Sequence, residues 1–250
     1  MSDHHRLTTV LSACNLNLEY TCFIPYFIRA WKKIFPEIEV VVVLIADTIP
    51  SELEEYKEHL RLFPPLEGIS TAFTAQFIRI LYPALLKTNG SVLISDIDMI
   101  PMNTTYYTKN FEKYSSDKFI VYRDVCGPTQ YAICYNLATP KVWGETFNIT
   151  TEEEVKERLL FYNKGYDDIK GSASWYKDQE ILKEQVVKVN PVILSDHEQG
   201  YNRLDRIHMD YILLNKGNYI AAVSNHHFSD FHLPNYKTYK EFIELVISNL

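Results

Sequence analysis

The sequence predicts an α/β fold with a mostly parallel central sheet flanked by helices, and three observations carry that prediction. The first half alternates β-branched apolar runs with amphipathic stretches in a βαβα order, the pattern of parallel strands joined by crossover helices. Val40, Val41, Val42 and Val43 are consecutive, which suits a strand buried on both faces. The apolar run Ser91-Val92-Leu93-Ile94-Ser95 ends in two carboxylates, Asp96 and Asp98, and open α/β sheets bind ligands where such a buried parallel strand ends.

Each element follows from local chemistry. Residues 7–14 read as the first strand. Residues 26–35 read as a helix entered after Pro25 and stopped before Pro36, and residues 39–45 as the doubly buried strand. Ser51 and Glu54 have the spacing of a capping box, so a helix is expected from there to about residue 62. Residues 74–86 carry an apolar stripe that Pro83 should bend and Gly90 should follow. The second half is more mixed. Strands are expected at 119–122, at 131–135 and ending at Val223, and helices at 152–161, 178–186 and 239–247. No repeat, low-complexity segment or linker interrupts the chain, so a single domain over residues 1–250 is the simplest organisation.

Composition narrows the function. With 250 residues and 46% apolar content the chain can bury a full core. Its 25 basic and 32 acidic residues give a net charge of −7, without the cationic excess that a nucleic acid or an anionic membrane demands. The N-terminus lacks a leader pattern, and no apolar run approaches the ~20 residues that span a bilayer, so a soluble, cytoplasmic protein without a transmembrane segment is expected. Cys14, Cys22, Cys126 and Cys134 have no zinc-site spacing and read as free thiols. Eighteen tyrosines, thirteen phenylalanines and three tryptophans suit sugar binding, and a large core accounts for them equally well.

The chemistry centres on Asp96 and Asp98. Alternate residues of an extended segment share a face, so the two carboxylates point together while Ile97 packs behind. Two hard oxygen ligands leave most of a coordination shell open, an arrangement for Mn²⁺ or Mg²⁺ that also takes substrate phosphate oxygens. The alternative is a solvated turn. No GxGxxG or GxxxxGK[ST] motif is present, so a phosphate would be held through metal and side chains. Arg79 offers a guanidinium able to bridge a carboxylate and a pyrophosphate, or is an ordinary surface arginine. The stretch from Asn225 to Pro234, with His226, His227 and His232, offers imidazoles as a third metal ligand, or its adjacent histidines form an exposed turn. Asp178 and Gln179 put an acid and an amide at the start of a helix, where Asp178 is alternatively an N-cap. The stretch from Asp196 to Arg206 reads as a polar loop that orients an acceptor or is simply solvated.

Arg79-Ile-Leu-Tyr-Pro-Ala-Leu-Leu, Val92-Leu-Ile-Ser-Asp96-Ile-Asp98, Asp178-Gln179 and His227-Phe-Ser-Asp-Phe-His-Leu-Pro234 come in the order seen in retaining glycosyltransferases of the GT-A fold. The chain resembles the glycogenin and bacterial lipopolysaccharide galactosyltransferase group, nearest to its small bacterial and large-DNA-virus members. The resemblance spans roughly residues 7–234. It implies a GT-A type nucleotide-diphospho-sugar transferase fold, with about residues 1–100 as the nucleotide-binding half and about residues 101–250 as the acceptor half. It implies a metal-dependent hexosyltransferase that takes a nucleotide sugar, a UDP-hexose, to a hydroxyl of a glycan or glycoprotein acceptor, with retention. Ala13, Cys14 and Asn15 would line the base, Arg79 would touch Asp96 and the pyrophosphate, and Asp96, Asp98 and His227 would hold Mn²⁺ or Mg²⁺. Asp178 and Gln179 would lie under the sugar as catalytic residues. The family's His-x-x-Gly-x-x-Lys-Pro has Asp230 and Leu233 in place of its glycine and lysine here, and Thr129-Gln130-Tyr131 stands where the family has Asn-x-Gly.

Three other readings compete. Asp96-Ile-Asp98-Met99-Ile100 also fits the signature of haloacid-dehalogenase-type phosphatases, in which the first aspartate is a nucleophile, although that motif usually opens the chain. A nucleotidyltransferase would share fold and metal but needs a glycine-rich loop after the first strand. A non-catalytic sugar-binding protein explains the aromatics without explaining Arg79, the aspartates and His227 together.

Overall fold

The computed structural model describes residues 4–167, 169 and 172–250; residues 1–3, part of the segment read for a leader, lie outside them. In chain order the elements are β1 (Leu7–Asn15), α1 (Leu18–Thr21), α2 (Ile24–Ile34), β2 (Glu39–Ile45), β3 (Leu60–Phe63), α3 (Thr71–Leu81) and β4 (Ser91–Ile94). There follow β5 (Met99–Pro101), α4 (Thr105–Thr108), β6 (Ile120–Val121), β7 (Asn136–Ala138), α5 (Pro140–Phe147), α6 (Glu152–Tyr162) and α7 (Lys177–Val186). The chain closes with β8 (Val192–Ile193), α8 (Asp196–Gln199), β9 (Arg203–Asp205), α9 (Met209–Leu214), α10 (Lys216–Ser224), β10 (Asp230–His232) and α11 (Tyr236–Ser248).

Seven strands form one sheet in the order β3-β2-β1-β4-β7-β6-β8. The first four are parallel, and β7 is inserted antiparallel to both β4 and β6. This is the mostly parallel sheet that the βαβα pattern predicts. Side chains alternate between two cores: Val40, Val42 and Leu44 join Phe27 and Trp31 on one face, while Val41, Val43 and Ile45 join Phe77, Ile78 and Trp143 on the other. Full burial of each such side chain contributes roughly 1.5–3 kcal/mol, so the four-valine run anchors both layers at once. Among the described residues no helix is long and apolar enough to cross a membrane.

The connectivity of this sheet reverses direction at one place, and open α/β sheets bind ligands at such places. Strands β1, β2 and β3 run outward in one direction, and the chain then returns to put β4 on the opposite side of β1. The crevice at the carboxyl ends of β1 and β4 is therefore a topological switch point. A second, three-stranded sheet, β5-β10-β9, closes that end.

Several elements differ from expectation, for local reasons. Residues 51–62 do not make an α-helix: Ser51–His59 is a 3₁₀ helix with Pro50 at its N-cap and no side-chain cap, and Leu60–Phe63 is β3 on β2. Only Leu53 of the nine helical residues is buried, too little apolar face to hold α geometry, whereas Leu60 and Phe63 are buried against the sheet. A capping box does form elsewhere, at Thr151 and Glu154 on α6. The helix carrying Arg79 starts earlier than expected, capped by Ser70, and Pro83 converts its end to 3₁₀ over Tyr82–Leu85. Residues 131–135 are irregular, because the buried Asn136 donates its amide to the carbonyls of Ala132 and Ile133, both at 2.7 Å, and curls the segment before β7. The stretch read as a strand ending at Val223 is helix α10, with Val223 its one buried residue.

Candidate active site

Asp96 and Asp98 lie just past the carboxyl end of β4, where the expected strand end places them. Ile97 packs into the core behind them. Asp96 is partly exposed and Asp98 is buried.

Arg79 comes to them from α3. Its side chain is only 12% exposed, so the surface alternative is excluded. Nη1 donates to Asp96 Oδ1, Nη2 to Asp178 Oδ2 at 3.1 Å, and Nε to the carbonyl of Gln76 at 3.2 Å. One planar guanidinium thus ties the end of β4 to the first turn of α7. Burial opposes the charge on Arg79, and Asp96 and Asp178 together more than offset it. Asp178 is not a helix cap: the N-cap position is Tyr176, and the Asp178 carboxylate is 3% exposed, accepting from Arg79 and from the Gln179 N–H at 2.8 Å. Burial pushes its pKa up to about 6, against the pull of Arg79. Gln179 is half-buried, and its carbonyl accepts from the Tyr131 N–H at 3.2 Å.

The other aspartate is held differently. Burial alone would raise the Asp98 pKa; His232 and Arg206 outweigh it and hold the carboxyl below its ordinary value. His232 Nε2 is 3.5 Å from Asp98 Oδ2, and Nδ1 of the same ring is 3.4 Å from Asp205 Oδ1. Arg206 Nη1 donates to Asp98 Oδ2 at 2.8 Å.

The small sheet explains this arrangement. β5 begins immediately after Asp98 and pairs antiparallel with β10, so that His232 lies opposite Met99, and the Leu233 N–H donates to the Asp98 carbonyl at 2.8 Å. β9 flanks β10 with Asp205 opposite His232. His227, the histidine expected at the metal, is not brought there. Helix α10 ends at Ser224, and the chain turns through His226 with φ of +53° before β10 begins at Asp230. His227 is left exposed in that turn, its ring against Phe228 and its carbonyl accepting from Asn202. The correction is five residues long and lies in backbone register.

At the end of β1, Ala13 and Cys14 are buried in opposite core layers, and Cys14 Sγ donates to the Asn15 carbonyl, so a base there would meet mainly backbone. Asn15 is half-buried and ties its amide to Thr71 Oγ1 at 3.2 Å, at the start of α3. Tyr20 faces the same region: burial and then the negative field of Asp98 raise its phenol pKa.

A second polar cluster continues along the same face of β9 and β10. The fully buried Asp230 accepts from Arg203, from Tyr135 Oη at 3.0 Å and from Tyr201 Oη at 2.8 Å. Arg123 pairs with Asp196 at 3.0 Å and lies 4.4 Å above the Tyr201 ring. The stretch from Asp196 to Arg206 is thus built into the protein at Asp196, Tyr201 and Arg203 rather than being a free solvated loop. A separate hollow of about 490 Å³ lies among α5, α6 and α7, lined by Arg158, Phe161, Lys177 and Glu184, and includes none of the residues around Asp98.

Two carboxylates and an imidazole are donors that Mn²⁺ and Mg²⁺ accept, and Asp98 and His232 already face each other. Among the described residues no three His, Cys, Asp or Glu side chains converge on one point, since Asp96 is turned to Arg79 and Asp98 is shared with Arg206. The chemistry of these donors suits a divalent cation, and the imidazole that stands beside Asp98 is His232 rather than His227. The sequence did not single out Tyr20; it offered His232 only as one of the imidazoles of residues 225–234, with His227 preferred, and Asp205 and Arg206 only as part of the polar stretch that ends at Arg206. A signal for His232 was available: Phe231 and Leu233 alternate with Asp230 and His232, the period-2 pattern of a strand.

The sequence matches no protein-family model and no curated protein at a significant level. The fold, however, matches solved structures along nearly its whole length. The apo-form glycosyltransferase GlyE of Streptococcus pneumoniae TIGR4 aligns with 97% of this chain and 62% of its own, at a TM-score of 0.53 and 15% identity. The galactosyltransferase LgtC, solved in complex with donor and acceptor sugar analogs, aligns over 97% of this chain and 96% of its own, at a TM-score of 0.53 and 12% identity. The chain spans 62% of the length of the pneumococcal protein. The likeness is one of fold, and the fold is the GT-A type expected from the sequence.

Proposed function

We propose that the chain is a glycosyltransferase that moves a hexose from a UDP-sugar to a hydroxyl of a glycan or glycoprotein, with retention and with Mn²⁺ or Mg²⁺ held by Asp96, Asp98 and His232. The observation that carries this reading is the Arg79 bridge: it fixes Asp96 and Asp178 together at the switch point between β1 and β4, on a fold like those of GlyE and LgtC. The four cysteines are free thiols, in keeping with a reducing cytoplasm.

A bound divalent cation supplies Lewis-acid neutralisation of the diphosphate leaving group. The protein supplies the rest. Asp205 holds the His232 ring so that Nε2 is directed at Asp98. Arg79, with all three nitrogens engaged, locks the carboxylates of Asp96 and Asp178 against rotation. Asp178 and Gln179 lie under the sugar on this reading, and the Asp178 carboxylate stabilises the positive charge that develops at the anomeric carbon as the glycosidic bond breaks. With a pKa of about 6, Asp178 is mostly ionised at neutral pH, as that role requires. The crevice at β1 takes the nucleotide against residues 1–100, and residues 101–250 build the acceptor side while also lending Asp178, Gln179 and His232 to the donor.

The test is incubation with UDP-hexoses, Mn²⁺ and a panel of glycans as hydroxyl acceptors, reading products by chromatography and the new linkage by NMR. Release of UDP with formation of an α-glycoside from an α-linked donor is expected, and Asp98→Ala should abolish it. Release of inorganic phosphate instead would overturn transfer in favour of a phosphatase, and a β product would overturn retention.

A further inference from the structure

We propose that Arg206 exchanges partners during ligand binding: it neutralises Asp98 when no cation is present, and turns to the diphosphate of the nucleotide once a cation has taken that carboxylate. The inference rests on the site being a nucleotide-sugar site, and adds to it a phosphate-binding residue.

The two guanidinium groups near the aspartates differ in what they have left to give. Arg79 is buried, and its Nε, Nη1 and Nη2 are all committed to Gln76, Asp96 and Asp178. Arg206 is 43% exposed. Its Nη1 donates to Asp98 Oδ2 at 2.8 Å and, weakly, to the Leu233 carbonyl at 3.4 Å, and among the described residues Nε and Nη2 have no partner. A guanidinium with free donors on its open side is a fork suited to phosphate oxygens. It also stands where it must yield: the Asp98 Oδ2 that it holds is the same oxygen that faces His232, so a divalent cation entering between them competes with Arg206 for one atom. Arg206 follows directly on β9 at the start of a 3₁₀ turn, Arg206–His208, whose Ile207 and His208 are exposed, so the side chain can turn outward without disturbing the core. The pair is open only on the Arg206 side, 43% exposed against 12% for Asp98, and a cation that displaces the guanidinium gives the buried carboxylate another positive partner, so the exchange leaves no buried charge unpaired. A diphosphate brought in by the cation restores a negative partner to the displaced guanidinium.

The exchange predicts effects of opposite sign. In Arg206→Ala, calorimetric titration with Mn²⁺ alone should show tighter binding, about 3-fold, because a competitor for Asp98 is gone. Titration of the same variant with UDP at saturating Mn²⁺ should show weaker binding, about 10-fold or more, because charge-assisted hydrogen bonds to the diphosphate are lost. Arg206→Lys keeps the charge without the fork and should fall between, which guards against a folding defect in the alanine variant. If the wild type binds UDP and Arg206→Ala matches it in both titrations, the exchange is wrong while the functional reading stands. If both affinities fall together, Arg206 merely holds the site in shape and the exchange is again wrong. Failure of the wild type to bind UDP with any divalent cation would overturn the functional reading and this inference with it.

Discussion

Replacing Asp178 with asparagine should make the protein more stable at neutral pH while disabling the proposed chemistry. The Asp178 carboxyl is 3% exposed, and burial pushes its pKa from an ordinary 3.8 up to about 6 in spite of Arg79 at 3.1 Å. A raised carboxylate pKa means that the folded chain binds the proton more tightly than the unfolded one. The contribution to stability is therefore fully present below pH 3.8 and is lost as pH rises through 6. At 1.36 kcal/mol per pH unit the loss is about 3 kcal/mol. Asparagine has the same shape, offers Arg79 one carbonyl oxygen and never ionises, so it escapes this loss. Urea unfolding of both proteins from pH 4 to pH 8 measures it, and the other titrating groups cancel in the difference. The two should be nearly equal at pH 4 and diverge to an advantage of about 1–3 kcal/mol for Asp178→Asn at pH 8, the lower figure allowing for the weaker contact with Arg79. A wild type more stable than the variant at pH 8, or a gap that stays constant from pH 4 to pH 8, would show that the Arg79 ion pair outweighs burial and that the carboxylate carries no stored cost.

Three further outcomes can be checked independently. His232→Ala should weaken Mn²⁺ binding by about 10-fold or more in calorimetry, whereas His227→Ala should leave it unchanged; the reverse ranking would restore His227 as the ligand. Trp143→Ala should cost about 3–5 kcal/mol in urea unfolding, because the ring is fully buried between Phe119 and Phe147 beneath β4 and donates to the Val92 carbonyl at 3.3 Å. Gly90→Ala should cost about 1–3 kcal/mol, since the added methyl would sit 2.6 Å from the Arg6 carbonyl and collide with the Thr8 side chain at the entry to β4; a neutral result would mean that β1 and β4 separate freely there.

Much of the frame was legible in the sequence, because burial leaves a period behind. The run Val40 to Val43 announced a strand covered on both sides, and each of those side chains is fully buried. The run from Ser91 into Asp96 and Asp98 announced a strand end with two carboxylates, and the structure has them at the carboxyl end of β4. Such features depend on neighbours along the chain, whose alternation the backbone geometry translates directly into faces. Where local signals misled, burial or a competing hydrogen bond had decided the outcome. Ser51 and Glu54 spell a capping box, yet the segment is a tightened 3₁₀ turn because almost nothing on it is buried, and residues 131–135 look like a strand until the buried Asn136 amide claims two of their carbonyls.

The partners of the site residues belong to the tertiary structure alone. Arg79 and Asp178 are ninety-nine positions apart and meet because α3 and α7 pack on the same face of the sheet. Arg206 and His232 reach Asp98 through the strand register of β5, β10 and β9, and the register of β10 on β5 depends on pairing between segments more than a hundred residues apart. The sequence by itself determined which residue types stand at the strand end and which faces are buried, since those follow from side-chain chemistry and backbone period. Which histidine lies beside Asp98, and which cations hold the two carboxylates, was decided only when distant strands were hydrogen-bonded in one register, because no local rule couples His232 to Met99.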